Sequence, residues 1–177
     1  MNIIKTLRLY HAALAVSALL SYITGEFGLI HAWLGYGVTT IIIFRLLLSL
    51  SGAPQLGLSK FYPSFEGLNT NNALSHPAIS KTLLFGISIS IILVTVTGIL
   101  IDQGKSIGLA NIDIITPALA DDDGKYEGES EGENEFIGEA HELFANIMLL
   151  FVGMHVAYLF LFKRPLALYM LFIQKKK

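Results

Sequence analysis

The chain contains no cysteine in its 177 residues. That absence excludes disulfides, iron–sulfur clusters and a covalently attached c-type haem, which needs a Cys-x-x-Cys-His motif. Any redox group must therefore be held by histidine or methionine. A small-x-small cleavage site is also missing after the first apolar run, residues 7 to 27, so that run reads as a retained helix and not as a secretory signal peptide. Asp121-Asp122-Asp123-Gly124 lacks the ligand spacing of a calcium loop.

What is present is apolar. Hydrophobic residues make up 53% of the chain and the mean hydropathy is +0.60, too high for a soluble domain of this length. Four runs are long enough to span a bilayer: 7 to 27, 29 to 50, 78 to about 101, and a fourth ending near Phe162. Only Gly25 to Gly28 separates the first two, which predicts a tight corner and an antiparallel pair. Residues 51 to 77, rich in Ser, Gly, Pro and Asn, predict an irregular connection. Gly86 and Gly98 are small positions where another backbone or a flat ligand can come close. The expected fold is all-α: one transmembrane four-helix bundle spanning 1–177, with a long acidic outer loop, 102–140, between helices three and four.

Charge sets the topology. Lys5, Arg8, Arg45, Lys60, Lys81, Lys163, Arg164 and Lys175 to Lys177 fall on one side of an even-numbered bundle, against Lys105 and Lys125 on the other. This predicts that both termini are cytoplasmic, as expected for a multi-pass protein of a bacterial inner membrane. From Asp102 to Glu142 there are twelve acidic residues and two lysines, a balance of −10 on the outer, periplasmic side.

The most informative stretch is His141-Glu-Leu-Phe-Ala-Asn-Ile-Met-Leu-Leu-Phe-Val-Gly-Met-His155. Fourteen residues at about 100° each is nearly four helical turns, so both imidazoles share one face, about 21 Å apart along the axis. With a hydrocarbon core about 30 Å thick, one sits near each membrane surface. The other histidines sort by depth. His11, near the start of helix one, matches His155; His31, opening helix two, matches His141, which is expected to open helix four. Haem b takes two axial imidazoles on opposite sides of a flat ring, and a four-helix bundle offers the slot. A lone intramembrane histidine is often only a hydrogen-bonding residue between helices, but four that pair by depth are harder to explain so. Copper is the other alternative, with Met148 and Met154 as soft ligands, although their unrelated helix angles make a weak site.

Thr24-Gly25-Glu26, then His31-Ala32-Trp33-Leu34-Gly35-Tyr36 and Arg45, and later His141-Glu142-x-x-Ala145-Asn146 with His155, resemble the di-haem cytochrome b subunits of bacterial nickel–iron hydrogenases and formate dehydrogenases, and the related small bacterial cytochromes of b561 type. The resemblance covers all four spans. It implies two haem b groups with His11 and His155 on the inner iron and His31 and His141 on the outer, and electron transfer between an outer-face partner and the quinone pool. Arg45, fourteen residues after His31, repeats that face at the cytoplasmic end, where an inner haem propionate needs a cation; snorkelling at a helix end explains it equally well. Gly35, one turn from His31, leaves room for the outer ring or serves helix packing. His76 is unpaired by depth and is expected to face water at the start of helix three, with a hydrogen bond to a quinone carbonyl as the other reading.

The expected role is thus an electron-transfer subunit of an oxidoreductase, exchanging electrons between quinone and a periplasmic c-type cytochrome or dehydrogenase with a basic docking face, and with no nucleic-acid partner. Superoxide oxidation at the outer haem and a cofactor-free membrane anchor are the alternatives; the −10 loop opposes the first, because it lowers the local concentration of an anion. The loop also predicts a kinetic signature. Replacing Glu127, Glu129, Glu131, Glu133 and Glu135 by glutamine should slow electron exchange with a basic partner at low salt, leave any haem spectrum unchanged, and matter less as salt rises and screening shortens to about 8 Å. A stopped-flow salt series checks this; a rate that rises on neutralisation favours an anionic substrate.

Overall fold

A computed structural model of the chain describes residues 3–50, 62–67, 69, 76–108 and 127–173, and the side chains of 3–4 and 127–134 lie outside that description. The described residues form five α-helices and no strand: α1 (Ile3–Ile23), α2 (Leu29–Leu50), α3 (Pro77–Asp102), α4 (Glu127–Phe162) and α5 (Arg164–Met170), with one 3₁₀ turn, Lys105–Ile107, after α3. Lys5–Ile23, Leu29–Leu50, Pro77–Asp102 and Glu135–Phe162 are each long and apolar enough to cross a membrane. In hydrocarbon every backbone group must find its partner within the segment, and a helix does this for runs whose side chains suit lipid on nearly all sides.

The ends of the helices follow from local chemistry. Thr24 folds its hydroxyl back onto the Leu20 and Ser21 carbonyls at 2.8 and 3.2 Å, closing α1. Phe27 N–H then donates to the Thr24 carbonyl at 2.8 Å, and Gly28 takes φ +40°, so the chain reverses within the predicted corner. Pro77 opens α3, where its missing N–H is not needed, and His76 caps it by accepting from Ala78 N–H at 3.2 Å. Gln103 and Gly104, both at positive φ, end α3 and turn it into Lys105–Ile107.

Packing is closest between α3 and α4 and between α1 and α2, and α2 joins the two pairs through α3. Few side chains are buried. Val38, Ile91 and Met148 form the central cluster, with Leu14, Ala18, Ile42 and Val152 against it, so all four spans contribute to one mid-bundle layer. Large apolar residues such as Leu9, Trp33, Leu47, Leu150 and Leu161 point outward, as side chains bathed in lipid do. Between such helices there is no hydrophobic driving force, so close van der Waals fit and small residues carry the association. At Gly86 an added Cβ would stand 2.8 Å from the Phe151 ring, which lies flat against the α3 backbone.

The sequence reading needs three corrections. Helix four begins at Glu127, so His141 sits fourteen residues inside it and does not open it. The acidic segment is accordingly not one long loop over 102–140: Asp102 ends α3, Lys105–Ile107 is a 3₁₀ turn, and 127–140 is helical, while 109–126 lie outside the described residues. Glutamate is a good helix former and favours a helix N-terminus, and the apolar span behind it removes the nucleation cost, so charge alone misled. Residues 164–170 form α5, because Pro165 breaks α4 at Lys163 and starts a new helix in another direction.

The glycine contacts give a stability prediction. Gly86→Leu should destabilise the α3–α4 pair by about 1–3 kcal/mol, as overpacking does, and lower the melting temperature in detergent. Gly153→Ala, where a Cβ meets nothing within 4 Å, should leave it within about 0.5 kcal/mol of the parent or raise it.

Candidate functional site

The histidines foreseen on one face of helix four do share it. His141, Ala145, Met148, Val152 and His155 repeat at alternating spacings of four and three, and Met148 lies seven residues from each histidine. The central Val38–Ile91–Met148 cluster thus separates two imidazole levels.

At the corner end, His31 from α2 meets His141 from α4. Their ring centroids are 5.9 Å apart and their planes are nearly perpendicular, at 89°. Two imidazoles bound to one metal at about 2 Å per metal–nitrogen bond stand roughly 6 Å apart between centroids, so the spacing suits ligation. The hydrogen bonds fix which nitrogen is available. His31 Nδ1 lies 2.9 Å from the Ser21 carbonyl, which can only accept, so Nδ1 carries the proton and donates it. His141 Nδ1 lies 2.9 Å from Thr97 Oγ1, whose own hydrogen is directed to the Leu93 and Val94 carbonyls at 2.9 and 3.1 Å. Thr97 therefore accepts from His141. Both rings are anchored through Nδ1, and both leave the Nε2 lone pair for a metal.

Beside this pair is a cavity of about 580 Å³, within the size range of ligand sites, bounded by His31, Gly35, Tyr36, Gly98, Met148 and Lys105 among others. Gly35 lies on the cavity wall, where an added Cβ would meet nothing within 4 Å. At Gly98 a Cβ would come 3.1 Å from His141 Cε1, so what approaches that glycine is the imidazole itself. The mouth is tied by Asp102, whose carboxylate accepts from the Tyr36 hydroxyl at 2.7 Å, from Ser106 N–H at 3.2 Å and from the Ser106 hydroxyl. This network fastens the 3₁₀ turn to α2 and brings Lys105 to the cavity.

At the other end of the bundle lie His11, on α1, and His155, fourteen residues on from His141 in α4. His155 Nδ1 is buried with no hydrogen-bond partner among the described residues, in contrast to the anchored pair. Arg45 is half-buried in α2, nearly four helical turns from His31. His76 belongs to neither pair: with Nδ1 capping α3 and Nε2 donating to the Glu66 carbonyl at 3.1 Å, both its nitrogens are engaged. It is half-buried in a local cap and does not simply face water, which corrects that expectation. Met148 is buried in the central layer whereas Met154 is exposed, so the two do not converge.

Ser21, Thr97, Asp102 and Arg8 were not foreseen as site residues. Arg8 alone left a signal, its spacing of three from His11; the others depend on how the helices register against one another. The His31–His141 site offers two imidazoles, which suits a group that brings its remaining metal ligands with it, as a porphyrin does.

The family model of prokaryotic cytochrome b561 matches residues 4–172, which include all four spans and all five histidines. The chain belongs to the prokaryotic cytochrome b561 family. As a cytochrome b561 it is a multi-pass membrane protein that transfers electrons by b-type haem. No curated protein and no solved structure matches the chain.

The Thr97 contact can be probed without reference to any cofactor. Thr97→Val keeps the shape but leaves His141 N–H without an acceptor, and should lower stability by about 1–3 kcal/mol; Thr97→Ser should retain most of it. Thermal unfolding in detergent compares the two.

Proposed function

We propose that this cytochrome b561 holds two haem b groups, one between His31 and His141 and one between His11 and His155, and links a periplasmic redox partner to the quinone pool. The observation that carries the reading is the His31–His141 pair: two imidazoles from opposing helices, spaced for a single metal, protonated on Nδ1 and open on Nε2, beside a cavity of about 580 Å³. Haem b, when bound, supplies a reversible one-electron iron couple. The chain's own residues then do the rest. Ser21 and Thr97 hold the imidazoles in orientation and raise their basicity, as outer hydrogen-bond partners of metal ligands do. Gly35 leaves space for the ring, and Lys105 and Arg45 are cations for its carboxylates at the two levels.

The wider setting follows from charge. The excess of Lys and Arg at the α5 end supports the reading of both termini as cytoplasmic in a bacterial inner-membrane protein, with 1–177 taken as one domain. The acidic segment then faces the periplasm, where it favours a partner with a basic docking face, such as a c-type cytochrome or a dehydrogenase subunit.

Each site needs both of its imidazoles, so the experiment is direct. His141→Ala and His155→Ala should each halve the haem-to-protein ratio, and the double variant should be colourless. His76→Ala should keep both haems, losing only stability from its cap. A reduced-minus-oxidised spectrum with quantified haem checks all four, and two haems retained in either single variant would refute the pairing.

A further inference from the structure

The α5 end carries a second buried nitrogen without a hydrogen-bond partner among the described residues, besides that of His155. Arg8 stands three residues before His11 on α1, so it shares that residue's face, about 4.5 Å away along the axis. Its Cζ lies 4.4 Å from the centroid of the Tyr169 ring and 3.8 Å from that of Phe172, over both rings. These aromatics come from α5 and the turn after it, which the break at Lys163 brings against α1. Stacking of this kind uses the face of a guanidinium, whereas its N–H groups point outward in the plane and still need acceptors. Arg8 Nε is buried and has no hydrogen-bond partner among the described residues. Buried donors are almost always paired, so this Nε–H calls for an acceptor, and a guanidinium edge is met best by an anionic oxygen.

We propose that Arg8 binds an anionic oxygen at the His11–His155 site, and that this oxygen is a carboxylate of the haem held there, with Tyr169 and Phe172 as positioning residues that fix the guanidinium. The proposal rests on the two-haem reading, since haem b brings two carboxylates that need cationic or hydrogen-bonding partners inside the bundle. A phospholipid phosphate offers the same chemistry and is the competing source. A fixed cation beside a redox centre favours its reduced form, so Arg8 raises the midpoint potential of that haem and of no other.

Potentiometric titration of the purified holoprotein separates the cases. In Arg8→Gln, one of the two haems should fall in potential by an amount equal to about a tenfold change in its oxidised-to-reduced ratio, about 59 mV for one electron, with the other unchanged. Arg8→Lys should restore part of the shift. Tyr169→Leu with Phe172→Leu, which keeps the charge but releases it, should move the same haem less far, and this double variant carries the test should Arg8→Gln fail to fold. Two haems present with neither midpoint moved overturns the proposal while leaving the functional reading intact. Unmoved midpoints together with lost tightly bound phospholipid phosphorus assign the acceptor to lipid and overturn it equally. Haem content left undiminished by both His11→Ala and His155→Ala overturns the functional reading and the proposal together.

Discussion

An imidazole placed among hydrocarbon needs a partner for each of its nitrogens, and that requirement organises this protein. Water is not at hand inside the bundle, so Nδ1 of His31 takes the Ser21 carbonyl and Nδ1 of His141 takes the Thr97 hydroxyl. The helices that supply these partners are thereby held in one register. Ser21 ties α1 to α2 close to their corner, and Thr97 ties α3 to α4, so the two best-packed helix pairs are each pinned at the level of the imidazoles. The open Nε2 positions are a by-product of satisfying the other nitrogen, and they are what makes the pair useful to a metal.

The two ends of the bundle solve the problem differently. At the corner end the protein closes its own hydrogen bonds and leaves space. At the α5 end it leaves a nitrogen of His155 and a nitrogen of Arg8 without a hydrogen-bond partner among the described residues, and lays the Tyr169 and Phe172 rings against the Arg8 guanidinium. Between them lies the dry layer of Val38, Ile91 and Met148, which keeps the levels apart and gives the four spans a common contact.

Most of the fold was legible because it depends on single-helix properties. The span Leu29–Leu50 and the corner at 25–28 came out as read, and so did the shared face of His141 and His155, since each follows from apolar length, glycine or angular period. Depth along a helix is also a one-dimensional quantity, and it was enough to bring His31 and His141 together. What failed was of another kind. The start of α4 was placed too late because acidic composition was read as loop, whereas helix propensity and an attached apolar span govern. Thr97 and Ser21 were invisible because the rotation of one helix against its neighbour is not written in either helix alone. Arg8 carries a signal in one dimension, its spacing of three from His11, and Pro165 marks the break after which the chain turns back to cover it.

The early start of α4 changes what its acidic residues are. From His141 back to Glu127 the helix rises about 21 Å, well beyond the roughly 8 Å over which exposed charges act at physiological salt. A flexible loop would let its carboxylates collapse toward the bundle. A helix instead fixes the Glu127 end of its backbone about 21 Å along the axis from the His141 level. Substitutions near the Glu127 end thus reach the imidazoles only through charge that salt screens out, whereas Glu139 and Glu142, within one turn of His141, lack that separation.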